Sequence, residues 1–148
     1  MTLSPSLGNL HALMASLNAS AGASVYNFLD DRNNQSLWST MSSNINSWVG
    51  NNPLNANDLR VVVTLADGTV AYDSSNLDNT FSKYQAKTIN ENHNSRIAIL
   101  QALLGNSGVG FETKYSTTNQ HMTNYFAQRV GPSIADAMGV IRVSVLET

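Results

Sequence analysis

The stretch Leu59-Arg60-Val61-Val62-Val63-Thr64-Leu65-Ala66-Asp67-Gly68-Thr69-Val70-Ala71-Tyr72-Asp73 decides how the rest of the chain is read. Val61, Val62 and Val63 are β-branched and stiff at χ1, which suits a buried strand better than a helix. Asp67-Gly68 follows, a pair that tolerates the positive φ of a tight type I′ turn, so the two runs on either side form a hairpin. In this reading Asp67 and Gly68 are structural. Asp73-Ser74 stands at the end of the second strand, where a side-chain oxygen accepts bonds from the following amides. The other role open to Asp73 is an ion pair with Arg96, tying the sheet to a helix. Both roles are structural.

Upstream of this hairpin the period is helical. Leu7, Leu10, Leu13, Met14 and Leu17 recur at spacings of three and four, and Val25, Phe28 and Leu29 prolong the stripe. Asp30-Asp31-Arg32-Asn33-Asn34 interrupts it, and Leu37, Met41, Ile45 and Trp48 resume it up to the stop at Gly50-Asn51-Asn52-Pro53. Residues 1–50 are therefore predicted to hold two helices, or one long helix broken near Asn33.

Downstream, a polar loop through Asn79 leads to a predicted helix over Thr88 to Leu104, burying Ile89, Ile97, Leu100, Leu103 and Leu104. Val109 to Ser116 alternates around Phe111, Thr113 and Tyr115. His121 to Val130 offers Met122, Tyr125, Phe126 and Val130, and Gly139 to Leu146 closes the chain with Val140-Ile141-Arg142-Val143-Ser144-Val145. The turn Gly131-Pro132 to Met138 makes an antiparallel hairpin of the last two. Tyr115, Tyr125 and Phe126 are expected to join the sheet, with a tyrosine hydroxyl available to line a pocket. The order predicts an α+β fold in one domain, residues 1–148: an antiparallel sheet of about five strands with helices packed on it, residues 59–146 forming the sheet-containing core.

Composition narrows the function classes. The chain has 148 residues, enough for one core, with 42% hydrophobic residues and a formal charge of −2. That balance gives no basic footprint for nucleic acid. Charged residues make up only 12%, about half the usual share, and Asn and Ser carry the surface instead, which favours self-association. There is no cysteine, which removes disulfides and thiolate metal sites. No apolar run is long enough to span a membrane, and Met1 to Leu7 reads as no signal peptide.

Catalytic patterns are missing as well. His11, His93 and His121 are scattered, no Gly-x-Ser-x-Gly elbow surrounds a serine, and no His-x-x-x-His pair or carboxylate cluster suggests a metal. The expectation is a protein that is not an enzyme and needs no cofactor. The sequons Asn18-Ala19-Ser20 and Asn34-Gln35-Ser36 would matter only on a eukaryotic secretory route.

The most informative segment is Asn92-His93-Asn94-Ser95-Arg96. Amides and cations beside a helix terminus suit a carboxylate or phosphate: Arg96 as a bidentate clamp, His93 as a pH-dependent donor. The competing reading has Arg96 satisfied by Asp73 or by backbone carbonyls, with His93 merely capping or packing. Arg129 and Arg142 read as solvated or paired with Glu112 rather than as ligand contacts.

Several stretches occur in an order that resembles a known family. They are Val61 to Ser74, Ile89-Asn90-Glu91-Asn92-His93-Asn94-Ser95-Arg96 onward to Gly105, Tyr115-Ser116-Thr117-Thr118, Tyr125-Phe126-Ala127-Gln128-Arg129-Val130 and Ile141-Arg142-Val143-Ser144. Together they are similar to the extracytoplasmic sensor domain of membrane-bound histidine kinases of the phosphate-regulation type, a PAS-like Cache fold. The chain departs from that family where Arg96 is followed by Ile97-Ala98 instead of Pro-Glu. The resemblance implies an extracytoplasmic signal-input module of a two-component system. Its ligand would lie between the sheet and the His93–Arg96 side, making His93, Arg96, Tyr115 and Tyr125 the candidate contacts. It also implies a homodimer through the N-terminal helices, with membrane contact only through segments absent from this chain. Leu7, Leu10, Met14 and Leu17 would then either form that dimer interface or cover the sheet. The alternative is a ligand-free PAS-like structural or protein-interaction module.

Overall fold

The computed structural model describes residues 7–54, 58–76, 79–86, 92–116 and 121–147. The side chains of Leu7, Gly8 and Ser116 are not part of that description, and Ile89 lies outside it. The N-terminal third is helical, as the apolar spacing predicts. It runs as α1 (Leu7–Leu17), a π-helical turn (Asn18–Gly22) and α2 (Ala23–Asp30), and then, after a break at residues 31–34, as α3 (Gln35–Asn51). Asn34 caps α3 with its side-chain oxygen, which accepts the Leu37 amide. The rest comprises β1 (Leu59–Leu65), β2 (Val70–Asp73), α4 (Phe81–Ala86), α5 (Ile97–Leu104), β3 (Val109–Ser116), β4 (His121–Val130) and β5 (Gly139–Leu146). The sequence reading does not anticipate the short α4.

The five strands form one fully antiparallel sheet in the order β2-β1-β5-β4-β3, so β5 lies between β1 and β4. The fold is α+β, as expected. Opposed residues in an antiparallel pair point to the same face, and β5 therefore alternates. Ile141, Val143 and Val145 face one side; Val140, Arg142 and Ser144 face the other.

The first face is covered by the N-terminal helices. Leu10, Met14, Leu17, Val25, Phe28, Trp38, Met41, Ile45 and Trp48 share one core with Leu59, Val61, Val63, Tyr72, Phe126, Ile141, Val143 and Val145. The indole N–H groups are paired, Trp38 donating to the Ala71 carbonyl at 3.0 Å and Trp48 to Ser16 Oγ at 3.0 Å. The Tyr72 hydroxyl donates to Asn46, and burial pushes its pKa up to about 12. Leu10, Met14 and Leu17, at most 2% exposed within one chain, cover the sheet, the second of the two roles open to them.

The second face carries the thinner cover of α5. Ala98, Ile99, Ala102 and Leu103 pack on Ala127 and Val140. The helix rides so close to the sheet that a Cβ on Gly110 would stand 1.9 Å from the Ala98 carbonyl oxygen. This close approach reverses part of the predicted burial. Small residues face the sheet, while Ile97, Leu100 and Leu104 point outward at 53%, 37% and 66% exposure.

The start of the predicted helix is corrected too. Residues 92–96 form a bridge and a turn, and the helix begins at Ile97. Asn92 accepts the Asn94 amide and donates to the Asp67 carbonyl, and the His93 amide donates to the Gly68 carbonyl at 2.7 Å. These bonds take groups that a helix would have used.

The β1–β2 turn also differs from the two-residue type I′ expectation. Leu65 N–H reaches the Thr69 carbonyl and Gly68 N–H reaches the Leu65 carbonyl, which closes a three-residue loop over residues 66–68. Gly68 sits at φ 88° and Asn94 lies against it, so a Cβ there would meet the Asn94 nitrogen at 2.5 Å. Asp67 accepts the Thr69 amide through Oδ1. Both residues are structural, as read, and Gly68 also docks the segment that carries His93.

Gly110→Ala is expected to cost more than about 2 kcal/mol in a urea titration, because α5 must lift off the sheet. Gly50→Ala, where a Cβ meets nothing within 4 Å, is expected to change stability by less than about 1 kcal/mol.

Candidate functional site

The register of the sheet gathers polar side chains under the N-terminal end of α5. Val62 is opposed by Asp73 on one side and by Arg142 on the other, Arg142 by Ala127, and Ala127 by Gly110. Two residues along, Arg60, Ser144, Tyr125 and Glu112 form the next row, so the half-buried Glu112 stands on this face as well. Arg60, Asp73, Arg142, Ser144 and Tyr125 therefore share the α5 face, flanked by Val62 and Thr64.

Asp73 is engaged, but not by Arg96. Arg60, diagonal to it on β1, donates from Nε to Oδ1 at 3.0 Å and from an Nη to Oδ2, while the Ser75 amide and hydroxyl both reach Oδ1. Burial alone would raise the Asp73 pKa, but the bonds and charge of Arg60 and the bonds from Ser75 outweigh it and hold the carboxyl below its ordinary value. The expected Asp73–Arg96 pair is thus corrected to Asp73–Arg60, because Arg60 extends along the sheet while Arg96 sits exposed at the start of α5. The bonds to the amide after Asp73 are as read.

Arg142 is the residue that sequence reasoning passed over. It is 3% exposed. Its Nε has no acceptor among the described residues, and the described ion pair is Arg60–Asp73. Its guanidinium lies 4.7 Å from the centroid of the Tyr125 ring, a cation–π contact that offsets only part of the desolvation. Burial, followed by the charge of Arg60, lowers its pKa to about 10, so the side chain is still cationic at neutral pH.

Arg129 supplies a partial contrast: its Nε also has no acceptor among the described residues, but its Nη1 is bonded. Its Nη1 donates to the Ala102 and Gly105 carbonyls at 3.5 and 3.0 Å, closing the C-terminal end of α5. Neither arginine pairs with Glu112, contrary to expectation. The N-terminal end of α5 is different: Arg96 is its N-cap, and no side chain caps the first amides. Those amides carry the positive end of the helix dipole.

His93 is 6% exposed. Burial first, then the charges of Arg142, Arg96 and Arg60, lower its pKa to about 4. It is therefore neutral at physiological pH, and its expected role as a pH-dependent donor there is corrected to that of a neutral imidazole. Tyr125 belongs to the cluster. Tyr115 does not: it opposes Met122 on the other face, at the edge strand, and is 51% exposed. The α1–α3 layer reaches Phe126 on β4, but Phe111 and Tyr115 on β3 stay exposed.

Elsewhere, two clefts of about 420 and 410 Å³ share Ser16, Asn52 and Pro53 between α1 and the end of α3. A third, of about 270 Å³, is lined by Arg32, Asp67, Thr69 and Tyr84. Among the described residues no group of three His, Asp or Glu side chains is placed to hold a metal, and no helix is long and apolar enough to cross a membrane. No protein-family model matches the chain, and no curated protein matches it.

The His93 environment fixes a pH signature. Its folded pKa, about 4, lies below the unfolded value of about 6.5. The unfolded chain therefore takes up the proton first, and stability falls as pH drops from about 6.5 towards about 4. His93→Gln is expected to flatten that part of a denaturation-versus-pH curve. The loss from Asp73, whose folded pKa is depressed, sets in at lower pH and persists in the variant.

Proposed function

We propose that this domain is a PAS-like signal-input module that binds a small anion on the α5 face of its sheet. Arg142 carries the reading. A cation taken out of water without a counter-ion costs several kcal/mol, and such groups are normally paired or coordinated. Here the guanidinium is buried and aromatic-stacked, and it has no carboxylate partner among the described residues. A carboxylate or phosphate placed between Arg142 and the uncapped first amides of α5 would complete it.

The α+β architecture supports the PAS-like part of the proposal: helices first, then a hairpin, a central helix, and three strands of one antiparallel sheet. Signal relay follows from β5, which presents Arg142 to the ligand side and Ile141 and Val143 to the N-terminal helices. A ligand that binds one arrangement of this strand more tightly than another shifts the population of the helices on the far side. In the extracytoplasmic receptor setting, a second copy packs on the outward face of those helices, where Ala12, Ala15, Ala19 and Tyr26 are exposed.

A second reading, a ligand-free PAS-like interaction module, is favoured by one observation. Ile97, Leu100 and Leu104 form an exposed apolar stripe on α5, at the spacing of a helix that docks into a partner.

Thermal unfolding in low-salt buffer separates the two. Acetate, succinate, phosphate and sulfate are titrated against the full chain and against Arg142→Met. The anion reading expects the variant, relieved of its buried charge, to melt about 2–6 °C higher than the wild type without ligand. It also expects at least one anion to raise the wild-type Tm and none to raise the variant's. A wild-type Tm indifferent to every anion favours the interaction module.

A further inference from the structure

We infer that the open edge of β3 pairs with the β3 edge of a second copy of this chain, antiparallel about a two-fold axis at Thr113. This interface is independent of the anion site and separate from the outward face of the N-terminal helices. Among the described residues β3 pairs with β4 alone, over eight consecutive residues with no bulge and no proline. Edges of that length are normally shortened, bent or covered, because a free row of amides and carbonyls recruits another strand. The opposite edge is managed in that way. There β2 has four residues, its register with β1 shifts, Asn92 bridges Thr69, and Asn79 donates to the Asp73 carbonyl.

The direction of the backbone groups fixes which residues can meet. Phe111 N–H donates to Gln101 Oε1 at 2.9 Å and Val109 N–H to Ser107 Oγ at 3.5 Å, so both amides point away from β4. This orientation alternates along an antiparallel strand, and the amides and carbonyls of Thr113 and Tyr115 therefore point outward as well. A second β3 can bond to them only in registers that set odd-numbered residues against odd-numbered ones. With the axis on Glu112 that carboxylate faces its own copy, and with the axis on Lys114 the ammonium does. With the axis on Thr113, Glu112 opposes Lys114 twice on the α5 face, and Phe111 opposes Tyr115 twice on the other. Directly opposed opposite charges and aromatic pairs stabilise a sheet, and opposed like charges destabilise it. The groups concerned are available: Phe111 and Tyr115 are 38% and 51% exposed, and neither Glu112 nor Lys114 forms an ion pair among the described residues. Gln101, a surface side chain, swings aside to free the Phe111 amide for the Tyr115 carbonyl of the second copy.

Sedimentation velocity of the full chain over a dilution series in low-salt buffer tests this, and a reversible dimer is expected. Glu112→Lys and Lys114→Glu each set like charges against one another, and each is expected to weaken the dimer at least about tenfold. An equimolar mixture of the two variants is expected to restore it, because every charge then meets its opposite; that rescue also shows that both variants fold. Tyr115→Pro removes an amide that faces away from β4, a change an edge strand tolerates, and is expected to abolish the dimer. A wild-type chain that stays monomeric throughout overturns the inference. So does a dimer that any of the three variants leaves at full strength, which points to a different face, and so does the failure of the mixture to regain what its two components lose.

Discussion

The polar face depends on one constraint: β5 is hydrogen-bonded on both sides and must satisfy two environments with alternate residues. Toward the N-terminal helices it presents Ile141, Val143 and Val145 to a large aromatic-rich core. Toward α5 it presents Val140, Arg142 and Ser144. Eight residues of helix cannot roof five strands, so the second face is dry only where Ala98, Ile99, Ala102 and Leu103 reach it. The remaining area is where charge can be held close to the sheet, and Arg142 sits at that boundary.

On the proposed reading, stability and binding are opposed here. An uncompensated guanidinium in the interior lowers the stability of the unliganded domain, and a well-packed apolar side chain in its place often does better. The Arg60–Asp73 pair next to it has its bonds satisfied, so the sheet does not need Arg142 to be rigid. The buried guanidinium of Arg142 thus differs from the Arg60–Asp73 ion pair beside it in having no carboxylate partner among the described residues.

The skeleton was legible in the residues because it is written in periodicity. The stripe from Leu10 to Trp48, the β-branched run at Val61 and the alternation at Val140–Val145 set the helices and strands and their order. Three things were not legible. The Asn92–Arg96 turn reads as helix until Gly68 offers its carbonyl to His93 from a distant hairpin. The outward turn of Ile97 and Leu104 depends on how closely Ala98 approaches Gly110, a tertiary distance with no local signal. Arg142 reads as solvated because a charge in a strand usually reaches water. The usable clue was its place at the centre of an apolar alternation, on the face opposite Ile141 and Val143. Tyr115 differs from expectation for the converse reason: alternation gives a face, but not how far the helical cover extends across the sheet.

The π-helical turn at Asn18–Gly22 has its own implication. A π turn accommodates one residue more than an α turn in an otherwise continuous helix, and here its first residue is fastened to β4 by a 2.6 Å bond from Asn18 to Gln128. Removing a single residue from this turn would leave an uninterrupted α-helix with its flanking faces kept in phase. The leading helix can thus lose a residue at this turn with no change to the sheet, so this stretch of surplus backbone is where its length is free to vary.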